Sequence, residues 1–357
     1  MLLKKYNLPI KVFDFFSGCG GSSRGFQKAG MDIVFALDND PDSGKTFKAN
    51  FPNAHFELID IEKYLTKKLK PIVESCSNHP ILFSGCAPCQ PFTRQNTKHR
   101  EDDKRVVLLN EFGRFVENYL PEFVFIENVP GLQKIQADEG PFGKFLEMLK
   151  NRKYYFRYDI VAAKKFGVPQ KRRRLVLIAS RLGSIDFYPR ANGLNSSNSN
   201  NRATVKKFIG DLPPIKAGES HPDIPNHVAA NLSPINLERI KATPEGGGRK
   251  AWPERLWLDC HSGKYNGHTD VYGRMRWNEP ATGLTTRCIS LSNGRFGHPE
   301  QDRAISVREA ACLQTFPRDF IFYGSLNSMA RQIGNAVPVL LAEYFGKGFV
   351  KHLKSHL

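Results

Sequence analysis

The chain has 357 residues, of which 40% are hydrophobic and 24% are charged, so it can bury one large core or two ordinary ones. These values exclude a peptide module, an intrinsically disordered protein and a fibrous repeat. The formal net charge of +17 is the unusual value, because it favours a polyanionic partner. Nucleic acid and an anionic membrane surface both fit that charge.

The sequence also bears on the compartment. It contains no run of about 18 apolar residues, so we expect no membrane span. The first residues lack the pattern of a signal peptide. The seven cysteines are odd in number and widely spaced, which is not typical of a disulfide framework. We therefore expect a cytoplasmic protein with reduced cysteines.

Short apolar runs alternate with helix-like stretches through the first 180 residues. Five runs have the length and composition of buried strands: residues 12–16, 33–37, 81–84, 123–126 and 175–179. Amphipathic stretches at residues 106–120 and 142–150 lie between them. This alternation predicts a doubly wound α/β fold with a mainly parallel sheet.

The composition of the sequence changes after residue 180. Residues 192–201 form a polar tract, and the chain up to residue 300 is rich in Pro, Gly and Asn, which predicts a smaller loop-rich region. Helical patterns return at residues 306–314 and 337–349. We therefore predict three parts, at residues 1–181, 182–300 and 301–357: an α/β part, a loop-rich region and a C-terminal segment in which helical patterns return.

A glycine-rich turn follows the first apolar run. Residues 12–21 read VFDFFSGCGG, so backbone N–H groups can approach a ligand closely where the next helix begins. Asp38 ends the second run, where a carboxylate can accept hydrogen bonds from ribose hydroxyls, and Asp60 follows a further short strand. An ordinary glycine turn and solvated carboxylates at strand ends would give the same pattern.

Cys86 and Cys89 follow the run at residues 81–84, in the sequence GCAPCQPF. This Pro-bounded turn places Cys89 at the carboxyl end of the predicted sheet, where open α/β folds bind ligands. The spacing also occurs in zinc sites and redox pairs. No second pair of ligands completes a zinc site, and Pro91 is unsuited to a thioredoxin-like helix.

The sequence GCAPCQPF closely resembles the Pro-Cys-Gln signature of the cytosine-5 DNA methyltransferases. The likeness continues in the order of that family over nearly the whole chain, except residues 182–275, where the family keeps its variable recognition region. The resemblance implies that residues 1–181 are the first part of a catalytic domain, that residues 182–300 are a target-recognition domain and that residues 301–357 return to the catalytic domain. The matching blocks are DFFSGCGG, Asp38, Asp60, PCQ, IENVPGL at residues 126–132, GVPQKRRR at residues 167–174, REAACLQTFP at residues 308–317 and RQIGNAVP at residues 331–338.

The resemblance implies a covalent mechanism. Cys89 would add to C6 of cytosine, which makes C5 nucleophilic towards a methyl donor. Glu127 would hydrogen-bond N3 and the exocyclic amine. Arg174 would bind the cytosine O2, and Arg172 would support the site or Glu127.

The resemblance also separates reactive from supporting residues near the site. Asn128 is expected to hold the local backbone. Lys171 and Arg173 alternate with the site arginines along a predicted strand and should face outward.

The implied cofactor is S-adenosyl-L-methionine, with S-adenosyl-L-homocysteine as product and no metal. The residues expected to bind it are Phe16, Ser17, Gly18, Cys19, Gly20, Gly21, Asp38, Asp60, Ile61, Pro88, Asn335 and Ala336. Family members usually have Ser in place of Ala336, so one side-chain contact is missing there.

The implied substrate is a cytosine flipped out of double-stranded DNA. The residues expected to contact that DNA are Gln90, Arg94, Lys98, Arg100, Arg105, Arg249, Arg274 and Arg276. We further expect a monomeric prokaryotic enzyme that associates with the nucleoid while acting. A cognate restriction endonuclease would share its site without needing to bind it.

Two other assignments share these motifs. A tRNA cytosine-5 methyltransferase can use the same scaffold, although the Cys-Phe-Thr tripeptide usual in such relatives is absent. A DNA-binding relative without catalytic activity is the second, but it would have no need for Cys89, Glu127 and Arg174 together.

Overall fold

The computed structural model describes residues 8–87, 108–132, 140–188, 203–259 and 270–357. The chain forms two compact units. The first unit comprises Met1–Phe166, Arg173–Asn195 and Val337–Leu357, and the second comprises Gly167–Arg172 and Ser196–Ala336.

The first unit is built on a seven-stranded sheet. In chain order the strands of the two units are β1 (Lys11–Phe15), β2 (Asp32–Asp38), β3 (His55–Leu58), β4 (Ile81–Gly85), β5 (Phe123–Asn128), β6 (Tyr155–Ala162), β7 (Gln170–Lys171), β8 (Arg173–Ser180) and β9 (Ala281–Thr282). The sheet has the order β3-β2-β1-β4-β5-β8-β6. Strands β1 to β5 pair in parallel, whereas β8 is antiparallel to both β5 and β6. The prediction of a mainly parallel, doubly wound sheet is confirmed.

The five apolar runs correspond to β1, β2, β4, β5 and β8. Strand β6 was not predicted, because several of its side chains are exposed at the edge of the sheet and it therefore lacks a continuous apolar run. The short strand expected before Asp60 is β3, which forms the opposite edge.

Ten α-helices have been assigned in the described ranges of the two units. They are α1 (Gly21–Lys28), α2 (Pro41–Asn50), α3 (Thr66–Ser75), α4 (Leu108–Tyr119), α5 (Pro141–Asn151), α6 (Val205–Ile209), α7 (Pro234–Lys241), α8 (Val307–Leu313), α9 (Leu326–Asn335) and α10 (Val339–Lys354). The four predicted helical stretches correspond to α4, α5, α8 and α10. Helix α10 begins after Pro338, whose fixed φ suits a helix start, and continues five residues beyond the predicted end.

Helix α10 packs closely on α1 in the first unit. A Cβ atom at Gly25 would lie 2.5 Å from the Cβ of Ala342, and one at Gly346 would lie 2.7 Å from the Cβ of Ala29. The two glycines therefore let the helix backbones approach each other. The last helix of the chain is thereby fixed against the first one, which begins at the glycine-rich turn.

The second unit has little regular structure and a small apolar core, which includes Trp252 and Tyr272. Buried arginines contribute to its organisation. The Arg303 guanidinium is fully buried and donates two 2.7 Å hydrogen bonds to the Glu309 carboxylate. Arg308, also fully buried, donates to the carbonyls of Pro225 and Phe320. Because each guanidinium has five donors, it can tie together loops whose carbonyls lack strand partners.

None of the helices in the described ranges is long and apolar enough to cross a membrane.

Candidate active site

The glycine-rich turn joins β1 to α1 at the carboxyl end of the sheet. Phe16, Gly18 and Gly20 have φ angles of 59°, 53° and 94°. A Cβ atom at Gly20 would lie 2.4 Å from Cε2 of Phe51, whereas one at Gly18 would have no atom within 4 Å. Packing thus requires a glycine at position 20, whereas Gly18 leaves open space beside the backbone.

Asp38 at the end of β2 fixes this turn. Its carboxylate accepts hydrogen bonds from the Gly18 amide at 2.8 Å and from the Asp40 amide at 2.9 Å. The Ser17 amide donates to the carbonyl of Leu37 at 3.0 Å. Burial raises the pKa of Asp38, while the two amide donors oppose that shift. A carboxylate has about four acceptor positions, so these bonds leave capacity for a ligand hydroxyl.

Asp60 lies beyond the end of β3 and caps a short 3-10 turn by accepting from the Glu62 amide at 3.0 Å. Asn39 donates to its other carboxylate oxygen at 3.2 Å, which links the ends of β2 and β3. The Ile61 side chain is only 2% exposed and belongs to the core. The Cys19 side chain is also buried, and burial raises the pKa of its thiol. The cofactor roles assigned to these residues and to Gly21 stay predictions.

Glu127 and Arg174 meet on adjacent strands β5 and β8. Arg174 Nε lies 3.0 Å from Glu127 Oε1, and the two side chains are 18% and 7% exposed. Burial lowers the pKa of Arg174, whereas the negative charge of Glu127 opposes that shift. The structure thus brings together two of the predicted catalytic side chains as a largely buried ion pair.

Asn128 ties β5 to the segment that leads to Cys89. Its side-chain amide donates to the Ala87 carbonyl at 3.1 Å, and its side-chain oxygen accepts from the Val129 amide at 2.7 Å. The prediction that Asn128 holds the local backbone is confirmed. Some of the predicted site residues lie outside the described residues, namely Pro88, Cys89, Gln90, Arg94, Lys98, Arg100 and Arg105.

Arg172 organises the second unit. Its guanidinium is 4% exposed and donates to the carbonyls of Leu284 at 3.0 Å and Gly334 at 3.1 Å, at the end of α9. Within that unit Asn335 is exposed and Ala336 is 9% exposed. The roles of these three residues towards substrate or cofactor stay predictions.

The neighbours of the site arginines follow the predicted alternation. Lys171 and Arg173 are exposed, whereas Arg172 is buried and Arg174 is largely buried. The prediction that the first two face outward is confirmed.

Arg274 does not serve as a DNA-contacting residue in this structure. It is 4% exposed, and its five N–H groups are all directed at acceptors of the second unit. These acceptors are the carbonyls of Thr243, Ile240, His298 and Gln301 and the carboxylate of Asp302. The prediction for Arg274 is therefore wrong, because all its donors are used within the fold.

The other two described candidates for DNA binding differ from Arg274. Arg276 is exposed and pairs with Glu279 at 2.9 Å. Arg249 is partly exposed. Both remain predictions.

Sequence reasoning missed Asp14, which lies inside β1. Its carboxylate is fully buried and accepts from the hydroxyls of Ser22 at 2.7 Å and Ser23 at 2.6 Å, in the first turn of α1. Burial raises its pKa to about 6. The signal was present in the sequence, because an acid inside the apolar run VFDFF requires buried hydrogen-bond partners.

The order of the sheet reverses between β1 and β4, and the glycine turn and Asp38 lie at that end of the strands. Open α/β sheets bind nucleotide-type ligands at such a reversal. The fold and the site define a Rossmann-like enzyme of the methyltransferase class. Residues 10–351 match the family model described as C-5 cytosine-specific DNA methylase, so the chain belongs to that family and is a DNA methyltransferase.

Individual relatives agree with this family. The chain is 38% identical over 349 residues to the type II methylase M.HgiDII of Herpetosiphon aurantiacus, covering 96% of each chain. It is 31% identical to the type II methyltransferase M1.HphI of Haemophilus parahaemolyticus, covering 97% of this chain and 88% of the relative. Among solved structures, a prophage-encoded DNA modification methyltransferase from E. coli is 25% identical with a TM-score of 0.75, covering 97% of this chain and all of that one.

Proposed function

We propose that the enzyme methylates C5 of a flipped cytosine in duplex DNA, using S-adenosyl-L-methionine bound at the glycine-rich turn. The observation that carries the proposal is the Glu127–Arg174 pair, which lies on β5 and β8 next to the Asn128 anchor of the segment leading to Cys89. A carboxylate and a guanidinium held together are two of the groups that this chemistry requires, and the third would be the thiol of Cys89, which lies outside the described residues.

The residues of the first unit fit the cofactor. The open space beside Gly18 would admit a ligand close to the backbone, and Asp38 retains acceptor capacity for ribose hydroxyls. Asp60, at the neighbouring strand end, would be the acceptor for a second polar group of such a ligand. When bound, S-adenosyl-L-methionine supplies an electrophilic methyl group.

Three residues of the chain would carry the reaction on the base. The Cys89 thiolate forms a bond to C6, and Glu127 stabilises the pyrimidine at N3 as electron density moves to C5. C5 would then accept the methyl group, which leaves S-adenosyl-L-homocysteine as the product. Loss of the C5 proton to a base and elimination of the thiolate would restore the aromatic ring. Arg174, which pairs with Glu127 in this structure, would hold that carboxylate in place and bind O2 of the cytosine.

We further infer a role in a restriction-modification system. The relatives described above carry the names of type II methylases, and methylation of a recognition site would block a cognate endonuclease. We propose that the enzyme works as a cytoplasmic monomer and needs no contact with that endonuclease.

A trapping experiment tests the chemistry. Duplex DNA containing 5-fluorocytosine at the methylated position cannot lose the C5 substituent as a proton, so the enzyme should stay attached through Cys89 in a denaturant-resistant complex. The complex should require S-adenosyl-L-methionine and should be absent from Cys89→Ala. A complex with tRNA but with no DNA would transfer the assignment to the RNA-modifying alternative, and no complex with either would support binding without catalysis.

A further inference from the structure

Three consecutive glycines, residues 246–248, form a loop in the second unit that carries no side chains. All three are partly exposed, and basic residues flank them on the surface: Arg249, Lys250 and Arg276. We name residues 246–248 the triglycine loop. The role inferred for this loop rests on the proposed function, because it requires DNA to be the substrate.

One guanidinium holds this loop. Arg295 Nη1 donates to the carbonyls of Gly246 at 2.9 Å and Gly247 at 2.6 Å, and also to that of Arg274 at 3.2 Å. Its Nε and Nη2 atoms both donate to the Asp270 carboxylate, at 3.1 and 3.0 Å. A planar guanidinium that is fixed on one side by a carboxylate can impose one geometry on the carbonyls at its other side.

The rest of the loop is fixed by backbone bonds. The Gly246 amide donates to the Met275 carbonyl at 3.2 Å, and the Arg274 amide donates to the Gly247 carbonyl at 3.2 Å. The Glu245 carboxylate accepts from the Trp277 amide at 2.8 Å. The loop is therefore pre-organised, which reduces the entropy lost when a partner binds it.

The chain's own packing explains only two of the three glycines. Gly246 has a φ of 67°, and a Cβ atom at Gly247 would lie 2.7 Å from Cγ of Pro244. Gly248 is extended, with φ −160°, and its Cβ would meet nothing closer than Arg295 Nη2 at 3.9 Å. The fold can accept a side chain at Gly248, so the glycine there points to close approach by a molecule outside the chain.

We propose that the triglycine loop lies against the sugar–phosphate backbone of the DNA, and that Arg295 is the positioning residue that fixes it there. Backbone N–H groups commonly contact phosphates, and a loop without side chains allows the closest approach. The surrounding cations add attraction that does not depend on sequence.

Two substitutions test the two parts of this proposal. Gly248→Val places a side chain on the loop without disturbing the fold, and Arg295→Lys keeps the positive charge but loses the planar fork. For each we expect about tenfold weaker DNA affinity on cognate and non-cognate duplexes alike, with kcat within about twofold of wild type. The dependence of affinity on salt should keep its slope in Arg295→Lys, because no charge is removed.

Arg318→Lys is the matched control, because Arg318 is an exposed arginine of the same unit that bonds to Asp211 and to the Phe208 carbonyl. It should bind DNA like wild type. Circular dichroism and melting temperature establish that each variant is folded. If Arg295→Lys does not fold, Gly248→Val and the smaller Gly248→Ala still decide the question.

If both Gly248 variants bind DNA with wild-type affinity, the proposed contact is overturned. If a folded Arg295→Lys binds DNA with wild-type affinity, the positioning role is overturned. Unequal losses on cognate and non-cognate DNA would contradict the assignment to the backbone. Failure of the wild-type enzyme to bind or methylate any DNA would instead refute the proposed function, so the two failures can be told apart.

Discussion

One buried carboxylate next to the glycine-rich turn makes the stability of the fold depend on pH. Asp14 lies within β1 and is fully buried, and its carboxylate accepts hydrogen bonds from the two serine hydroxyls of α1. Its pKa of about 6 in the folded protein exceeds the ordinary value of 3.8, so the folded state binds this proton more tightly than the unfolded state does. The contribution of protonated Asp14 to the free energy of unfolding is therefore fully present below pH 4, and it is lost as the pH rises through 6.

Asp14→Asn should remove this pH dependence. Between pH 4 and pH 7 the variant should become more stable relative to wild type, with the difference in free energy of unfolding rising by up to about 3 kcal/mol, because a neutral amide has no ionised form to bury. Urea denaturation of both proteins across this range measures the difference, in which other titrating groups cancel. A constant difference from pH 4 to pH 7 would show that Asp14 does not titrate in this way.

The Glu127–Arg174 pair leads to a second prediction for single residues. Glu127→Gln should lower the single-turnover rate about 10²- to 10⁴-fold, because the amide cannot supply a proton at N3. Arg174→Lys should cost less, since it retains the charge but not the two-pronged geometry. Affinity for S-adenosyl-L-methionine should be unchanged in both variants, and a wild-type rate for Glu127→Gln would remove it from the mechanism.

The role of Arg274 could not be predicted from the sequence. A basic residue in a loop-rich region suits DNA binding, yet Arg274 uses all its donors on acceptors of the second unit. An arginine side chain can either bind DNA or join loops within a fold. Only the position of the surrounding carbonyl groups distinguishes the two roles. Cys89 and Glu127 could be proposed from sequence because their motifs are local, whereas the partners of Asp14 depended on how α1 follows β1.

At the scale of elements, α1 and α10 pack closely against each other through two glycines. Gly346→Ala should lower the free energy of unfolding by about 1–3 kcal/mol, because its new methyl group would lie 2.7 Å from the Cβ of Ala29. Adding Ala29→Gly should restore part of that loss. Gly113→Ala in α4 is the control and should be neutral or stabilising, because its Cβ would lie 3.4 Å from the nearest atom. Thermal or urea unfolding measures these variants together with Ala29→Gly alone, and additive effects at positions 29 and 346 would contradict direct contact.

The elements that could be predicted were those with a strong local pattern. Buried strands such as β4 and β5 are continuous apolar runs, and α10 has a clear helical period. Strand β6 lies at the sheet edge and exposes large side chains such as Tyr155 and Tyr158, so its pairing with β8 could not be read from its own residues.

At the scale of the whole molecule, the net charge of +17 predicts binding that depends strongly on salt. DNA affinity should fall at least about tenfold between 50 and 200 mM salt, because the enzyme releases counterions from the phosphates it contacts. Fluorescence anisotropy on cognate and non-cognate duplexes should give similar slopes. Affinity that is independent of salt would show that the excess charge is not used for DNA.

The boundaries of the two units were less predictable than their existence. Part of the second unit, Gly167–Arg172, comes from within the segment expected to be catalytic, and that unit continues to Ala336 rather than to residue 300. Buried side chains account for this: Arg172 and Gln170 bond to carbonyls of Leu284, Gly334 and Leu313. Such contacts join residues far apart in the chain and leave no local signal.

The assignment as a DNA cytosine-5 methyltransferase can be tested by expression in a host that lacks DNA methylation, followed by sequencing that detects 5-methylcytosine across the genome. We expect 5-methylcytosine at one cytosine within one short recurring sequence, and none in cells that express Cys89→Ala at the same level. An unmethylated genome in cells containing the folded wild-type enzyme, or equal methylation with Cys89→Ala, would contradict this assignment and the role of Cys89.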